Sequence, residues 1–165
     1  MLAYTGARVN EIYQLTSADI IVVDGVWCLK STDEGEHQQV KTTNAILTVP
    51  LHSQLLGLGF LDFSNDRNGR LFPSLTKLRG RWNRKISRWF NDTYLQKIGV
   101  KKDRLPLKSF RNTVATKFRN GRVPETVAAE ILGHSVGGIT YGRYANRDQV
   151  EQLASAIETI SYSIE

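Results

Sequence analysis

The first half of the chain changes from helix-type to strand-type spacing of its apolar residues. Residues 2–16, LAYTGARVNEIYQLT, end with apolar positions three apart, which predicts one helix. Two β-rich runs then flank the dipeptide Asp24-Gly25, which is a strong short-range signal for a hairpin. A third strand-type run covers residues 45–51. These patterns predict a three-stranded antiparallel sheet after an N-terminal helix.

A basic segment in the middle of the chain, residues 79–91, has the spacing of an amphipathic helix. Its apolar residues at i, i+4, i+7 and i+8 form one face: Trp82, Ile86, Trp89 and Phe90. Its cations lie away from that face: Arg81, Arg84, Lys85 and Arg88. Either the cations are a solvated surface over a core stripe, or they contact nucleic-acid phosphates. No acidic residue separates the cations, and this favours contact with phosphates at least as strongly as a solvated surface.

Helical spacing returns in the last third of the chain. It predicts a helix over residues 107–119 that stops at Gly121, and a shorter helix from Pro124 to about Gly133. The tail, residues 149–165, predicts an amphipathic helix whose apolar positions are Val150, Leu153, Ile157 and Ile160. Such a face requires either a subunit contact or the domain's own core. The fold class predicted from the whole pattern is α+β, mainly helical with a small three-stranded antiparallel sheet.

Charge narrows the choice of partner. The 165 residues include 22 Lys+Arg and 16 Asp+Glu, a net charge of +6, and this surplus favours a polyanion such as nucleic acid. An anionic membrane is the competing partner, but the chain has no long basic amphipathic arm and no run long enough for a membrane span. The single cysteine, Cys28, and the lack of a cleavable leader predict a cytoplasmic protein.

Several chemistries lack their sequence patterns here. There is no phosphate-binding GxxxxGK[ST], no GxGxxG and no cysteine pair, and the three histidines lack metal-ligand spacing: His37, His52 and His134. Cations and tyrosines remain, and they suit metal-free phosphodiester cleavage. That reaction needs fixed cations around the nonbridging oxygens, a proton donor for the leaving oxygen and a nucleophile.

Four stretches resemble, in order, the motif regions of the tyrosine recombinases, the phage integrase family. They are TGARVNEI at 5–12, KTTNAILTVPL at 41–51, LKSFRNTVAT at 107–116 and LGHSVGGITYGRYA at 132–145. The resemblance implies a fold of the DNA breaking–rejoining type and a site-specific recombinase that serves a phage or other mobile element. It implies cleavage of double-stranded DNA through a 3′-phosphotyrosyl intermediate, with no ATP and no obligate metal or other cofactor. It also implies a homotetramer on paired DNA sites.

The same resemblance assigns phosphate-binding residues. Arg8 matches the first catalytic arginine, and Glu11 matches the acidic residue that supports it. Arg111 matches the second arginine. Lys108 stands where many members have a histidine; a lysine there still hydrogen-bonds phosphate but accepts a proton less readily near neutral pH.

The resemblance further assigns the proton donor and the nucleophile. Lys41 matches the hairpin-loop lysine that protonates the leaving 5′ oxygen; Lys30, on the preceding strand, fits that place less well. His134 matches the next phosphate-contacting position and is suited to carry protons. Tyr144, ten residues later within Arg-Tyr-Ala, matches the nucleophile, whereas Tyr141 matches a packing or DNA-backbone position.

Residues 1–165 therefore correspond to the catalytic domain of such a recombinase, and we expect it to lack its N-terminal part and the core-binding domain that family members carry. Weak DNA affinity of the chain alone follows from that expectation. Two other functions stay open. Ala129 and Gly133 have the spacing of a helix-turn-helix DNA-binding protein, and a relative that binds DNA without cleaving it would share these motifs.

Overall fold

The N-terminal segment forms two short helices instead of one. A computed structural model describes residues 1–35, 38, 47–76, 83–100, 106–134 and 147–163, with the backbone alone at 83, 84, 147 and 148. Helix α1 spans Leu2–Thr5 and α2 spans Val9–Tyr13. The single helix predicted over this region is wrong because Gly6 has a φ of 61°, the left-handed conformation that ends a helix. Arg8 is extended, and α2 begins after it.

A three-stranded antiparallel sheet follows, as the sequence predicts. After a 3-10 turn at Ser17–Asp19, the strands are β1 (Ile20–Val23), β2 (Val26–Ser31) and β3 (Leu47–Pro50), in the spatial order β1-β2-β3. Asp24 and Gly25 both have positive φ, 49° and 84°, which fits the tight hairpin turn between β1 and β2. The strands put Leu29 and Val49 opposite each other, and both are buried.

The described part of the basic segment, from residue 83 onward, is helical but does not bury the predicted face; Trp82 lies outside the described residues. Two short helices precede it, α3 (Ser53–Gly57) and α4 (Phe60–Asn65). Helix α5 (Asn83–Trp89) then continues through a π-helical turn at Phe90–Tyr94 into α6 (Leu95–Lys97). Ile86 packs against the core, but Trp89 is 48% exposed and stacks against Tyr94 with ring centroids 5.4 Å apart. The prediction of Trp89 as a core residue is wrong: Trp89 is the last residue of α5, and its ring packs against Tyr94 of the π turn that follows and not against the core.

Three helices complete the fold: α7 (Ser109–Asn120), α8 (Glu125–Leu132) and α9 (Arg147–Glu158). The predicted tail helix exists, but it ends at Glu158 instead of continuing to residue 165. The four apolar residues predicted for the tail are all at most 2% exposed: Val150, Leu153 and Ile157 in α9, and Ile160 just after it. Because Leu153 and Ile157 belong to the same core as Val114 and Phe118 of α7, the apolar face of the tail is covered by its own domain.

The segment after α9 is fastened to α1, α3 and α7. His52 accepts a hydrogen bond at Nδ1 from the Gln54 amide at 2.9 Å, so Nε2 carries the proton and donates to the Ile160 carbonyl at 2.6 Å. The Tyr162 hydroxyl donates to the Ala3 carbonyl at 2.7 Å, and the Lys117 ammonium lies 4.5 Å from the Tyr162 ring centroid.

The helices and the three-stranded sheet together confirm the mainly helical α+β class. No helix within the described ranges is both long and apolar enough to cross a membrane.

Candidate phosphate-binding site

Arg8 and Glu11 are joined twice at the start of α2. The Glu11 carboxylate accepts the Arg8 backbone N–H at Oε2 and the Arg8 guanidinium at Oε1, both at 2.7 Å. Glu11 is 5% exposed, whereas the Arg8 side chain is 33% exposed. The carboxylate thus serves both as a helix cap and as a counter-ion, and it fixes the direction of the Arg8 side chain.

Arg111, in the first turn of α7, lies beside the same segment. Its Nη1 donates to the Gly6 carbonyl at 3.0 Å, and its Nη2 donates to the Leu132 carbonyl. The Arg8 Nη2 donates to the next carbonyl along the chain, that of Gly133, at 3.4 Å. The two guanidinium groups therefore meet at consecutive carbonyls where α8 ends.

The end of α8 has the backbone geometry that makes this meeting possible. Gly133 has a φ of 66°, its N–H bonds to the Glu130 carbonyl at 3.1 Å, and the His134 N–H bonds to the Ala129 carbonyl at 2.8 Å. This is a Schellman ending, in which the left-handed residue turns the chain away from the helix axis. The carbonyls of Leu132 and Gly133 are left without helical partners, and the arginines supply donors to them at the negative end of the helix dipole.

Gly6 brings α1 and α8 together at the same place. A Cβ atom on Gly6 would lie 2.6 Å from the Leu132 Cδ2 atom and 3.0 Å from the Val114 Cγ1 atom. Glycine therefore permits both the left-handed backbone and the close approach. Sequence reasoning missed the part that Gly6, Leu132 and Gly133 play, because backbone carbonyls carry no residue signature. The glycines flanking the motif arginine and histidine were the available signal.

The electrostatics of the cluster follow from this crowding. Burial lowers the pKa of Arg111 from its ordinary value, the positive charge of Arg8 lowers it further, and Glu11 acts in the opposite direction. Partial desolvation lowers the pKa of His134 below 6.5, and the charges of Arg111 and then Arg8 add to the effect. The guanidinium groups stay protonated, so the pair carries two positive charges against one carboxylate. The site has an excess of positive charge that a bound anion would compensate.

The arginines keep donors for such an anion. A guanidinium has five N–H groups, and each arginine uses two of them in the contacts above. Lys108 is exposed one helical turn before Arg111, and His134 is exposed immediately after the Gly133 turn. A tetrahedral oxyanion such as a phosphate diester fits this arrangement of planar donors. No three His, Cys, Asp or Glu side chains gather as metal ligands would among the described residues.

Five of the predicted residues are thus described at this site: Arg8, Glu11, Lys108, Arg111 and His134. Lys41, Tyr141 and Tyr144 lie outside the described residues, as does the second helix of the alternative helix-turn-helix. Of the predicted DNA-binding cations, Lys85 and Arg88 are exposed on α5. Arg81 and the side chain of Arg84 fall outside the description.

Comparison with known proteins identifies related sequences and folds. The sequence profile of the phage integrase family matches residues 1–152. Among solved structures, the fold is similar to a crystal structure of the XerH site-specific recombinase bound to difH substrate in a pre-cleavage complex. The TM-score is 0.56 at 16% sequence identity, over 98% of this chain and 40% of that chain. This chain thus spans less than half the length of that recombinase. No protein with a curated description matches the chain by sequence.

Proposed function

This chain belongs to the phage integrase family, and we propose that it is the catalytic part of a tyrosine-type site-specific recombinase acting on double-stranded DNA. The observation that carries the proposal is the meeting of Arg8 and Arg111 at the Leu132 and Gly133 carbonyls. Two arginines from distant parts of the chain are held side by side with unused donors. That arrangement suits one phosphate group, since the charge of a phosphoryl transition state is spread over its nonbridging oxygens.

The proposed reaction conserves the energy of the phosphodiester bond. The Tyr144 Oη atom attacks the phosphorus, the P–O5′ bond breaks, and a 3′-phosphotyrosyl link forms. The electron pair of the broken bond goes to the 5′ oxygen, which takes a proton from Lys41 and leaves as a hydroxyl. The reverse attack by a 5′ hydroxyl of the same or a partner duplex restores a phosphodiester. Each step exchanges one phosphate ester for another, so no ATP is consumed.

The described residues have separate tasks in this reaction. Arg8 and Arg111 bind the nonbridging oxygens, and Glu11 holds Arg8 in place through its two contacts. Lys108 adds a third positive charge at the exposed start of α7. His134, whose pKa is lowered by desolvation and by the two arginines, is neutral at pH 7 and is able to accept the tyrosine proton.

DNA binding in this proposal extends from the phosphate site to α5. Lys85 and Arg88 are exposed there, and with Arg81 and Arg84 they supply the basic surface that tracks the DNA backbone. A homotetramer on two paired sites is the proposed assembly of the longer protein. The α9 apolar face lies in the domain's own core, so the subunit contacts of that tetramer come from other surfaces. The cytoplasm, where DNA is accessible, is the proposed location.

Covalent capture on DNA tests this function. The probe is a pool of half-site duplexes in which the cleaved strand ends just beyond a randomised segment, so that the short 5′-hydroxyl fragment dissociates and the covalent complex accumulates. We expect the chain to form DNA adducts that survive denaturant, and sequencing of the captured strands to give a common motif. Tyr141→Phe is the matched control and keeps the adduct, whereas Tyr144→Phe loses it. No adduct with any duplex of the pool contradicts the proposal.

A further inference from the structure

A buried glutamine anchors the connection between β2 and β3. Gln38 is 8% exposed, although it lies within the connection that spans residues 32–46. Its backbone N–H donates to the Gly35 carbonyl at 2.9 Å, and its Oε1 accepts the Gly35 N–H at 3.1 Å. Its Nε2 donates to the Asp19 carboxylate at 2.7 Å. Both ends of the side-chain amide are therefore satisfied, as a buried amide requires.

Asp19 is itself held rigidly by the segment that follows α2. Its Oδ2 atom, which accepts from Gln38, also accepts the Thr16 backbone N–H at 2.7 Å and the Thr16 hydroxyl at 2.8 Å. Asp19 is 5% exposed and closes the 3-10 turn before β1. The same short stretch of chain leads back through α2 to Arg8. Gln38 thus links the β2–β3 connection to the 3-10 turn that follows α2.

Gly35 shapes the turn around this amide. A Cβ atom on Gly35 would lie 2.6 Å from Gln38 Oε1 and 2.9 Å from Gln38 Cδ, so the amide occupies the space that any larger residue would fill. Nothing in the phosphate site needs this arrangement. Its position in the sequence suggests its use, because Gln38 comes three residues before Lys41.

A general acid must be placed accurately. A proton donor acts only within hydrogen-bond distance of the leaving oxygen, and a displacement of about 1 Å can cost about 100-fold in rate. A long connection opposes such placement because its conformational entropy must be lost. Three residues span at most about 10 Å, so an anchor at Gln38 restricts the volume that the Lys41 backbone can occupy.

We propose that Gln38, held by Asp19, is a positioning residue for proton transfer from Lys41 to the leaving 5′ oxygen. The inference rests on the proposed function. In this role the buried amide affects only the breaking of the P–O5′ bond, through the proton that the 5′ oxygen takes up as that bond breaks. The role involves no contact between Gln38 and DNA.

Sulfur substitution at the leaving atom separates this role from a purely structural one. In a 5′-bridging phosphorothiolate the leaving group is a thiolate, which is stable without a proton because a thiol has a pKa near 8.5. A duplex captured by the wild-type chain is made in two forms, with oxygen or sulfur at the cleaved bond. A variant that has lost only the placement of the proton donor cleaves the oxygen duplex slowly and the sulfur duplex at the wild-type rate.

Two variants disturb the anchor in different ways. Gln38→Glu keeps the acceptor for Gly35 but sets a second carboxylate against Asp19, and Gly35→Ala displaces the amide without removing it. We expect both to cleave the oxygen duplex about 10- to 100-fold more slowly than the wild-type chain, and the sulfur duplex within about threefold of it. Should Gln38→Glu fail to unfold cooperatively, Gly35→Ala still provides the comparison. Lys41→Ala is the benchmark and is expected to show the same selective recovery.

Gln54→Ala is the matched control. Gln54 also bridges two segments through both ends of its amide, since it accepts from the Tyr4 hydroxyl at 3.1 Å and donates to the Tyr162 carbonyl at 3.4 Å. Its loss is expected to change both duplexes equally. The positioning role is overturned if Lys41→Ala cleaves the sulfur duplex at the wild-type rate but Gln38→Glu and Gly35→Ala do not. It is also overturned if these two variants cleave the oxygen duplex at the wild-type rate. In both cases the proposed function stands. If Lys41→Ala itself does not recover, the proton-donor role of Lys41 fails.

Discussion

Arg111 donates a hydrogen bond from Nη1 to the Gly6 carbonyl oxygen at 3.0 Å, so the second arginine is attached to the backbone two residues before the first. Arg111 and Gly6 are 105 positions apart in the sequence. A change in the backbone dihedral angles of Gly6 would nevertheless move both the carbonyl that accepts from Arg111 and the start of the segment that carries Arg8. The relative placement of the two guanidinium groups therefore depends on backbone geometry at Gly6 as much as on the arginine side chains.

Replacement of Gly6 is expected to disrupt both the fold and the site. Gly6→Ala puts a Cβ atom 2.6 Å from Leu132 Cδ2 in a left-handed backbone, and we expect a loss of about 2–4 kcal/mol in the free energy of unfolding. Covalent capture is expected to fall further than stability explains, when measured where the variant is fully folded. Gly99→Ala is the control, since Gly99 has a similar φ of 68° with no atom within 4 Å, and should cost about 1 kcal/mol. Equal losses in the two variants would refute the steric explanation.

The Arg8–Glu11 contact predicts a difference between two glutamate variants. Glu11→Gln is expected to lower the free energy of unfolding by about 2–3 kcal/mol, somewhat less than for a fully buried pair because a third of Arg8 is exposed. Glu34→Gln removes the surface partner that lies 3.3 Å from Lys30 and should change the free energy of unfolding by about 0.5 kcal/mol or less. Denaturant unfolding of both variants measures this difference. The same small change in both would show that Glu11 is not the counter-ion of Arg8.

His134 should titrate below its ordinary range in the free chain. Desolvation and the charges of Arg111 and Arg8 lower its pKa below 6.5, and a bound phosphate or vanadate should raise it again by adding negative charge. Because the folded pKa is the lower one, His134 leaves stability unchanged above pH 6.5 and reduces it as the pH falls from there through the folded value. Chemical shifts of the ring protons, assigned with His134→Gln, measure the titration. A pKa at or above 6.5 without anion would contradict the proximity of the arginines.

The exposed cations of α5 predict a change in the salt dependence of DNA binding. Lys85→Ala and Arg88→Ala should each reduce the slope of log K against log salt by about 1, uniformly across DNA sequences. Arg67→Ala serves as the control, since the Arg67 guanidinium lies over the Phe63 ring at 4.9 Å, outside the basic segment, and should leave the slope unchanged. An unchanged slope in the α5 variants would show that this surface does not contact phosphate.

The parts of the fold that follow from local pattern could be predicted from the sequence. Asp24-Gly25 predicts the hairpin because both residues adopt positive φ readily, and the structure has them so. The tail stripe predicts α9 because apolar residues at helical spacing must be buried, and Val150 and Ile157 are at most 1% exposed. In each case the signal lies within a few neighbouring residues.

The parts that depend on distant contacts could not be predicted in this way. Apolar spacing predicts a continuous helix through Gly6, but the break there is set by Leu132 and Arg111, more than a hundred residues away. Trp89 lies on a predicted core face, yet it is exposed and contacts Tyr94 of the π turn that follows α5. The motif resemblance singled out Arg8, Glu11 and Arg111. The backbone carbonyls of Gly6, Leu132 and Gly133, which also accept hydrogen bonds from the two arginines, have no side-chain signature in the sequence.

The attachment site of DNA on the protein tests the central claim most directly. Trypsin cleavage after Arg143 places Tyr141 in the peptide 123–143 and Tyr144 in the peptide 144–147, so mass spectrometry of the captured adduct distinguishes the two tyrosines. We predict a 3′-phosphonucleotide on the peptide 144–147 and none on the peptide 123–143. Attachment to any other peptide, or a DNA adduct that persists in Tyr144→Phe, would contradict the account.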